Sequence, residues 1–314
     1  MSGEPASKSL AWARLLRVPN LFTAQADVYV GLVASGALLQ QPLAATALIV
    51  SSTALYAGGI ALNDVVDVAE DRRERPSRPL PSGAISVTRA AAAAFGLLAG
   101  GVAFAMSAAA LSRRSEPLVV AISLAAAILA YDLGGKRTAA GPLILGVCRF
   151  LNVLLGWTLT TIVAMNAKTL PTLANPLLTA SVMATFVWAL STLAKHETTG
   201  LPLSAARRRM SLIFIPLGLM VALAARQDWR EFQPLDWIAA AMCAALNFAC
   251  AVVMSRVWRA SAARDIGRAV GGLLSLIILI DGTMLAIMGH GAAGLAVLAL
   301  YVPVLTLRRQ IYMT

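Results

Sequence analysis

Three aspartates stand at i, i+3 and i+7 in the run Asn63-Asp64-Val65-Val66-Asp67-Val68-Ala69-Glu70-Asp71. On a helix this spacing puts Asp64, Asp67 and Asp71 on one face. Carboxylates so placed repel one another unless a cation neutralises them. Their hard oxygens select Mg²⁺ or Ca²⁺ over softer metals. Mg²⁺ takes one or two carboxylates and completes its shell with water and phosphate oxygens. Arg75 and Arg78 follow within a few residues, and a guanidinium matches phosphate oxygens. Carboxylates for a metal beside arginines for phosphate describe a site for a metal-bound diphosphate. A solvated charged loop with topology-setting arginines would show the same spacing. Asn63 ahead of the acidic face and the stiff Arg78-Pro79-Leu80-Pro81-Ser82-Gly83 segment behind it weigh against that second reading.

Other polar residues stand in apolar surroundings. An ionisable side chain in the middle of a membrane helix costs about 2.5–3.5 kcal/mol on insertion scales. Asp27, Arg149 and Asp281 each meet that description. Arg149, with Asn152 one turn further on, either points into a cavity toward a diphosphate or snorkels to the headgroups. Asp27 follows Asn20 by two turns and shares its helix face. It either lines an acceptor pocket or pairs with Arg149. Asp281 has no evident partner in sequence and reads as a buried hydrogen-bonding group. Tyr131 with Lys136 and Arg137 reads as a diphosphate grip at a cavity mouth, or as an interfacial aromatic with flanking charges. Tyr56, Trp157 and Trp188 are candidates for the cavity wall.

These residues need elements to hold them, and composition says which. The chain has 314 residues, 59% apolar and 13% charged. A soluble domain is about 45–50% apolar and about 25% charged. Mean hydropathy is +0.75. That excludes an ordinary soluble enzyme. Spans of about 20 apolar residues are expected near 20–38, 43–62, 88–111, 117–132, 141–164, 176–195, 210–225, 236–256, 266–288 and 292–307. Abundant Ala, Gly and Ser suit close helix packing in lipid. Cys148, Cys243 and Cys250 lie in apolar stretches without a CxxC, which excludes a disulfide scaffold or a structural zinc site. The first 18 residues read as a cytoplasmic amphipathic segment ahead of a single transmembrane domain. Of the 26 basic residues, only Arg113, Arg114, Lys168, Arg226 and Arg230 fall on the non-cytoplasmic side of that arrangement, and Arg149 falls in a span. This is a positive-inside pattern. The net charge of +11 is spread over alternate loops, which argues against nucleic acid.

The run Asn63-Asp64-x-x-Asp67-x-x-x-Asp71, followed by Arg78-Pro79-Leu80-Pro81-Ser82-Gly83, resembles the first signature of the UbiA-type intramembrane prenyltransferases. The resemblance extends to Arg17-Val18-Pro19-Asn20 and to Tyr131 with Lys136-Arg137. It implies an all-α membrane fold of nine or ten helices around a central lipid-open cavity. It also implies Mg²⁺-dependent transfer of a prenyl group from a polyprenyl diphosphate to a small lipophilic or aromatic acceptor. Under it, Asp64, Asp67 and Asp71 are the catalytic, metal-holding residues. Asn20, Asp27, Asn63, Arg75, Arg78, Tyr131, Lys136, Arg137, Arg149, Asn152, Lys195 and Glu197 bind substrate. The place of the family's second aspartate-rich motif reads Ser191-Thr-Leu-Ala-Lys195-His196-Glu197-Thr-Thr-Gly200 and lacks the paired aspartates. This loop resembles the divergent EboC-like branch. Either Lys195 replaces a second metal as a fixed charge, or the protein binds or transports an isoprenoid-type ligand without ionising it. His196 is a candidate general base. The expected setting is the bacterial inner membrane, with the N-terminus and site loops cytoplasmic.

Overall fold

The computed structural model describes residues 8–160, 175–198, 234–259 and 263–312, together with Leu212, Ile215, Leu217 and Gly218; side chains of 195–198, 234–236, 239–240, 243, 247, 254, 257, 263–268, 308–310 and 312 are outside that description. The expected span 210–225, apart from those four residues, and the side chains of Lys195, His196 and Glu197 lie outside the described residues.

The described residues fold into helices and contain no strand. In chain order these are α1 (Lys8–Leu15), α2 (Val18–Ala34), α3 (Ala37–Gln40), α4 (Pro42–Val66), α5 (Val68–Glu74), α6 (Val87–Ser112) and α7 (Glu116–Asp132). After a 3₁₀ turn at Gly135–Arg137 come α8 (Gly141–Trp157), α9 (Pro176–Thr198), α10 (Pro234–Trp258), α11 (Ala263–Ile287), α12 (Gly291–Ala299) and α13 (Tyr301–Tyr312). Proline opens α2, α4, α7 and α8, where its missing N–H has no partner to lose. The hydroxyl of Ser86 caps α6 by accepting from the Arg89 backbone N–H.

Among the described residues, Pro42–Val66, Val87–Ser112, Pro176–Ala194 and Ala269–Ile287 are long and apolar enough to cross a membrane, and Gly141–Trp157 and Gly291–Leu307 are shorter apolar helices. Two expected spans are interrupted. The stretch 20–38 breaks after Ala34, where Gly36 takes a left-handed φ of 72°. The stretch 292–307 breaks at Leu300. Pro303 cannot donate to the carbonyl of Ala299, and its ring crowds that carbonyl.

The final pair of apolar stretches forms a hairpin rather than one broken element. Gly289, at φ 86°, turns the chain, and α11 packs on α12 with Gly282 against Gly294. A Cβ on Gly294 would lie 2.6 Å from the Gly282 carbonyl oxygen. Arg14 Nε then donates to the Ile311 carbonyl at 2.9 Å. The end of α13 therefore lies beside α1.

Among the glycines of the described residues, the tightest contact holds α2 on α8. A Cβ on Gly156 would lie 2.1 Å from the Val28 carbonyl oxygen. Gly156→Leu should therefore push the two helices apart and lower the thermal stability of the purified protein by about 1–3 kcal/mol or more. A melting temperature equal to that of the wild type would show that the contact is not needed. This approach matters because α2 and α8 together carry the buried charges described below.

Candidate active site

The acidic run sits at the end of α4. Asp67 closes that helix, its N–H donating to the Asn63 carbonyl at 3.0 Å, and α5 restarts at Val68. Asp71 N–H donates to the Asp67 carbonyl at 2.9 Å. The acidic face thus has a one-residue joint, and its carboxylates do not converge as the spacing implies. Among the described residues, no three acidic, histidine or cysteine side chains gather into a metal-binding set. A basic side chain meets each aspartate instead.

Arg17 Nη2 pairs with Asp64 Oδ1 at 2.9 Å. Arg78 Nη1 lies 3.7 Å from the same oxygen and 2.7 Å from Asp71 Oδ2. Lys136 Nζ lies 2.6 Å from Asp67 Oδ1. Arg75 reaches Asp71 only at 3.9 Å, with its side chain 40% exposed. Arg137 is exposed and is not drawn onto the acidic run, whereas Lys136 is. Asp64 and Asp71 are buried, so Arg78 is a bridge between buried carboxylates. Asp71 reads as its anchor.

Local folding explains how these cations arrive. Arg17 adopts a left-handed backbone at φ 46° between α1 and α2, a conformation uncommon for a residue with a Cβ. Arg78 begins the proline-rich segment, whose Leu80 and Ile85 bury against Ala11 and Leu15 of α1 and Ala90 of α6. That small core holds the segment over the acidic joint. Lys136 sits in the 3₁₀ turn between α7 and α8. Asn63 Nδ2 donates to Asp132 Oδ1 at 2.8 Å, tying α4 to α7.

Beneath this rim lies a cavity of about 280 Å³ walled by residues of α2, α4, α7, α8, α9 and α11. Arg17, Asn20, Asn63, Tyr131 and Asp132 are its polar rim, and Tyr56, Arg149 and Asn152 line it more deeply. The walls between are apolar, from Leu124, Ile128, Leu145, Val187, Leu190, Leu274 and Ile277. Asp64, Asp67 and Asp71 do not line the cavity. They stand beside its mouth, joined to it through Arg17 and Asn63. Trp157 is fully buried in the core, and Trp188 lines a separate side groove.

Arg149 does not snorkel. Its Nη1 pairs with Asp27 Oδ2 at 2.8 Å, its Nη2 donates to Thr23 Oγ1 at 2.9 Å, and the guanidinium carbon lies 5.6 Å from the Tyr56 ring centre. Of the two readings of Asp27, the geometry shows the pair with Arg149. Asp27 is fully buried behind the cavity wall. Asp281, which showed no partner in sequence, lies within hydrogen-bonding reach of Asp27.

Sequence reasoning passed over Arg17, Asp132 and Ser52 as site residues. The Arg17-Val18-Pro19-Asn20 run was a usable signal for Arg17. No sequence signal marks Ser52, whose hydroxyl donates to Asn152 Oδ1 at 2.7 Å across 100 residues of chain.

The donor set suits a hard cation. Arg17 and Arg78 both engage Asp64 through Oδ1, and Lys136 engages Asp67 through Oδ1. The second oxygen of each carboxylate carries no ion pair among the described residues. One or two carboxylates with open oxygens beside a phosphate-binding rim match what Mg²⁺ requires.

The sequence profile of the UbiA prenyltransferase family matches residues 27–268. Digeranylgeranylglyceryl phosphate synthase of Metallosphaera sedula is 32% identical over 144 residues, covering 46% of this chain and 49% of that protein. The enzyme of the same name from Methanoculleus marisnigri is 35% identical over 128 residues, covering 41% and 43%. These matches span about half the length of the curated relatives. A solved UbiA homologue from Aeropyrum pernix superposes with a TM-score of 0.60 at 19% identity, over 84% of this chain and 96% of that one. A UbiA homologue from Archaeoglobus fulgidus, bound to DMAPP and Mg²⁺, gives 0.58 at 16%, over 92% and 99%. At those identities the likeness is one of fold. The family profile covers most of the sequence, and the helices enclose a cavity with an acidic and basic rim: this chain belongs to the UbiA prenyltransferase family.

Proposed function

We propose that this protein transfers a prenyl group from a prenyl diphosphate to a lipophilic acceptor, with Mg²⁺ held by Asp64 and Asp67. The observation that carries the reading is the rim: Arg17, Arg78 and Lys136 stand on Asp64, Asp71 and Asp67 beside an apolar cavity. The Archaeoglobus homologue that binds DMAPP with Mg²⁺ supports it.

Each residue then has a task. Asn63 and Asp71 brace the two metal-holding carboxylates, Asp71 by anchoring Arg78. The metal, when bound, supplies Lewis-acid stabilisation of the leaving diphosphate. Arg17, Arg78 and Lys136 exchange their carboxylate partners for phosphate oxygens as diphosphate enters. Fixed cations aimed at developing charge lower the barrier to ionisation. The C1–O bond breaks with its electron pair going to diphosphate. The acceptor's nucleophile bonds to C1 and gives up its proton. Apolar walls keep water from the allylic cation. The excess of basic residues at this end supports a cytoplasmic orientation of the site.

A second reading, binding or transport of an isoprenoid ligand without ionisation, is favoured by one observation: the Lys195-His196-Glu197 run lacks paired aspartates. One experiment separates them. Purified protein in lipid is given geranyl, farnesyl and geranylgeranyl diphosphates with pooled acceptors, and diphosphate release is followed with Mg²⁺ and with EDTA. Release with Mg²⁺ that EDTA abolishes is the expected outcome. Saturable binding with no release from any diphosphate would sink the transferase reading and leave the carrier.

A further inference from the structure

Four aspartates stand at the mouth of the cavity, and one of them differs from the rest. Asp64, Asp67 and Asp71 each face a basic side chain, and none of the three lines the cavity. Asp132 closes α7 and does line it. Lys136, four residues on, is turned away onto Asp67, and among the described residues no basic side chain pairs with Asp132. The residue is 2% exposed. Its Oδ1 accepts from Asn63 Nδ2 at 2.8 Å. Its Oδ2 takes no hydrogen bond among the described residues, and it is not one of the sealed, partnerless atoms of the interior. The little surface it keeps borders the cavity. Among the described lining residues Asp132 is the only carboxyl, and no histidine joins it.

That combination has a chemical meaning. A buried carboxylate without a cation is costly unless it is hydrogen-bonded. Asn63 supplies one N–H, and the open oxygen has room for a donor that the protein does not provide. An O–H of a bound molecule fits that place. The other polar groups of the rim are poorer proton acceptors: a guanidinium has no acceptor site, and an amide is very weakly basic. The departing diphosphate, under the reading above, has its charge met by Arg17, Arg78 and Lys136.

We infer that Asp132 holds the hydroxyl of the acceptor at the cavity mouth and receives its proton during transfer, so that the acceptor is an alcohol or a phenol. The hydroxyl donates to Asp132 Oδ2. As its oxygen bonds to C1, the C1–O electron pair leaves with diphosphate. The O–H electron pair stays on the new ether oxygen, and the proton passes to Oδ2 and then to water. The transfer step rests on the prenyl-transfer reading; the preference for a hydroxyl at Asp132 does not.

The test begins with binding to the full-length protein in lipid nanodiscs, without turnover. The probes are 2-naphthol and 2-methoxynaphthalene, close in shape, of which only the first has an O–H to donate. Saturable binding is read by probe fluorescence with empty nanodiscs subtracted. The wild type should bind the naphthol about tenfold more tightly than the ether, the scale of one hydrogen bond to a charged group. In Asp132→Asn the side-chain carbonyl can still accept from Asn63, which turns an NH₂ toward the cavity in place of an acceptor. The two probes should then bind about equally, while geranyl diphosphate binds at least as tightly as before and shows that the fold is intact. Equal binding of the probes by the wild type would overturn the inference, as would no saturable binding of the naphthol. So would a preference that survives in Asp132→Asn. A preference that disappears when Mg²⁺ is added would make Asp132 a metal ligand and would overturn it as well. If Asp132→Asn does not fold, the wild-type comparison with and without Mg²⁺ still decides. Diphosphate release with pooled acceptors is followed in parallel and should fall on the order of 10²-fold in Asp132→Asn; wild-type release within a few-fold in that variant would remove the proton-accepting role. Absence of release from the wild type would sink prenyl transfer while the hydroxyl preference is still read.

Discussion

Asp67→Asn should lower Mg²⁺-dependent diphosphate release by on the order of 10²–10³-fold, the scale of losing one fixed electrostatic contact to a transition state. Asp67 is the more open of the two proposed metal ligands, its side chain 22% exposed against 6% for Asp64. Asparagine keeps the shape and removes the charge that a hard cation requires. The substitution also frees Lys136, so prenyl diphosphate should still bind, and the loss should appear in kcat more than in KM. A Mg²⁺ titration of release, run beside a thermal melt, checks this. A folded variant with near-wild-type release would remove Asp67 from the metal site and return its role to that of a counter-ion for Lys136.

Arg149→Leu should destabilise the protein by roughly 3–5 kcal/mol, because it strands a buried carboxylate without its cation. Asp27 has no exposed surface and no other cation in contact among the described residues. The paired change Asp27→Leu with Arg149→Leu should recover much of that loss, since apolar groups of similar volume often replace a buried ion pair at little net cost. Recovery will be partial, because Asp281 stays behind as a buried carboxyl. A double-mutant cycle in unfolding free energy measures the coupling. Additive single effects would mean that the 2.8 Å pair contributes nothing to stability as a pair.

Much of the site was legible before any fold was known. Asp64, Asp67, Asp71 and Arg78 stood out because local spacing and residue type suggest a metal-diphosphate site, and the structure brings them together as ion pairs beside the cavity. Lys136 was legible as a basic residue in a short break between apolar stretches. The helices themselves were legible because lipid leaves the backbone no partner but itself. Boundaries failed at Gly36 and Leu300, where a left-handed glycine and a downstream proline interrupt runs that hydropathy alone reads as continuous.

Sequence by itself determined the class of structure and the placement of the acidic run at the end of an apolar helix, since each depends on neighbours within a turn or two. Tertiary structure alone decided the partners. Arg17 met Asp64, Lys136 met Asp67, and Asp27 met both Arg149 and Asp281. These contacts join helices far apart in the chain, and they depend on close approaches such as Gly156 against Val28. A one-dimensional pattern reports which side chains share a helix face. Which faces meet is set by packing, and that is why the spacing showed the carboxylates while only the fold showed which cation pairs with each.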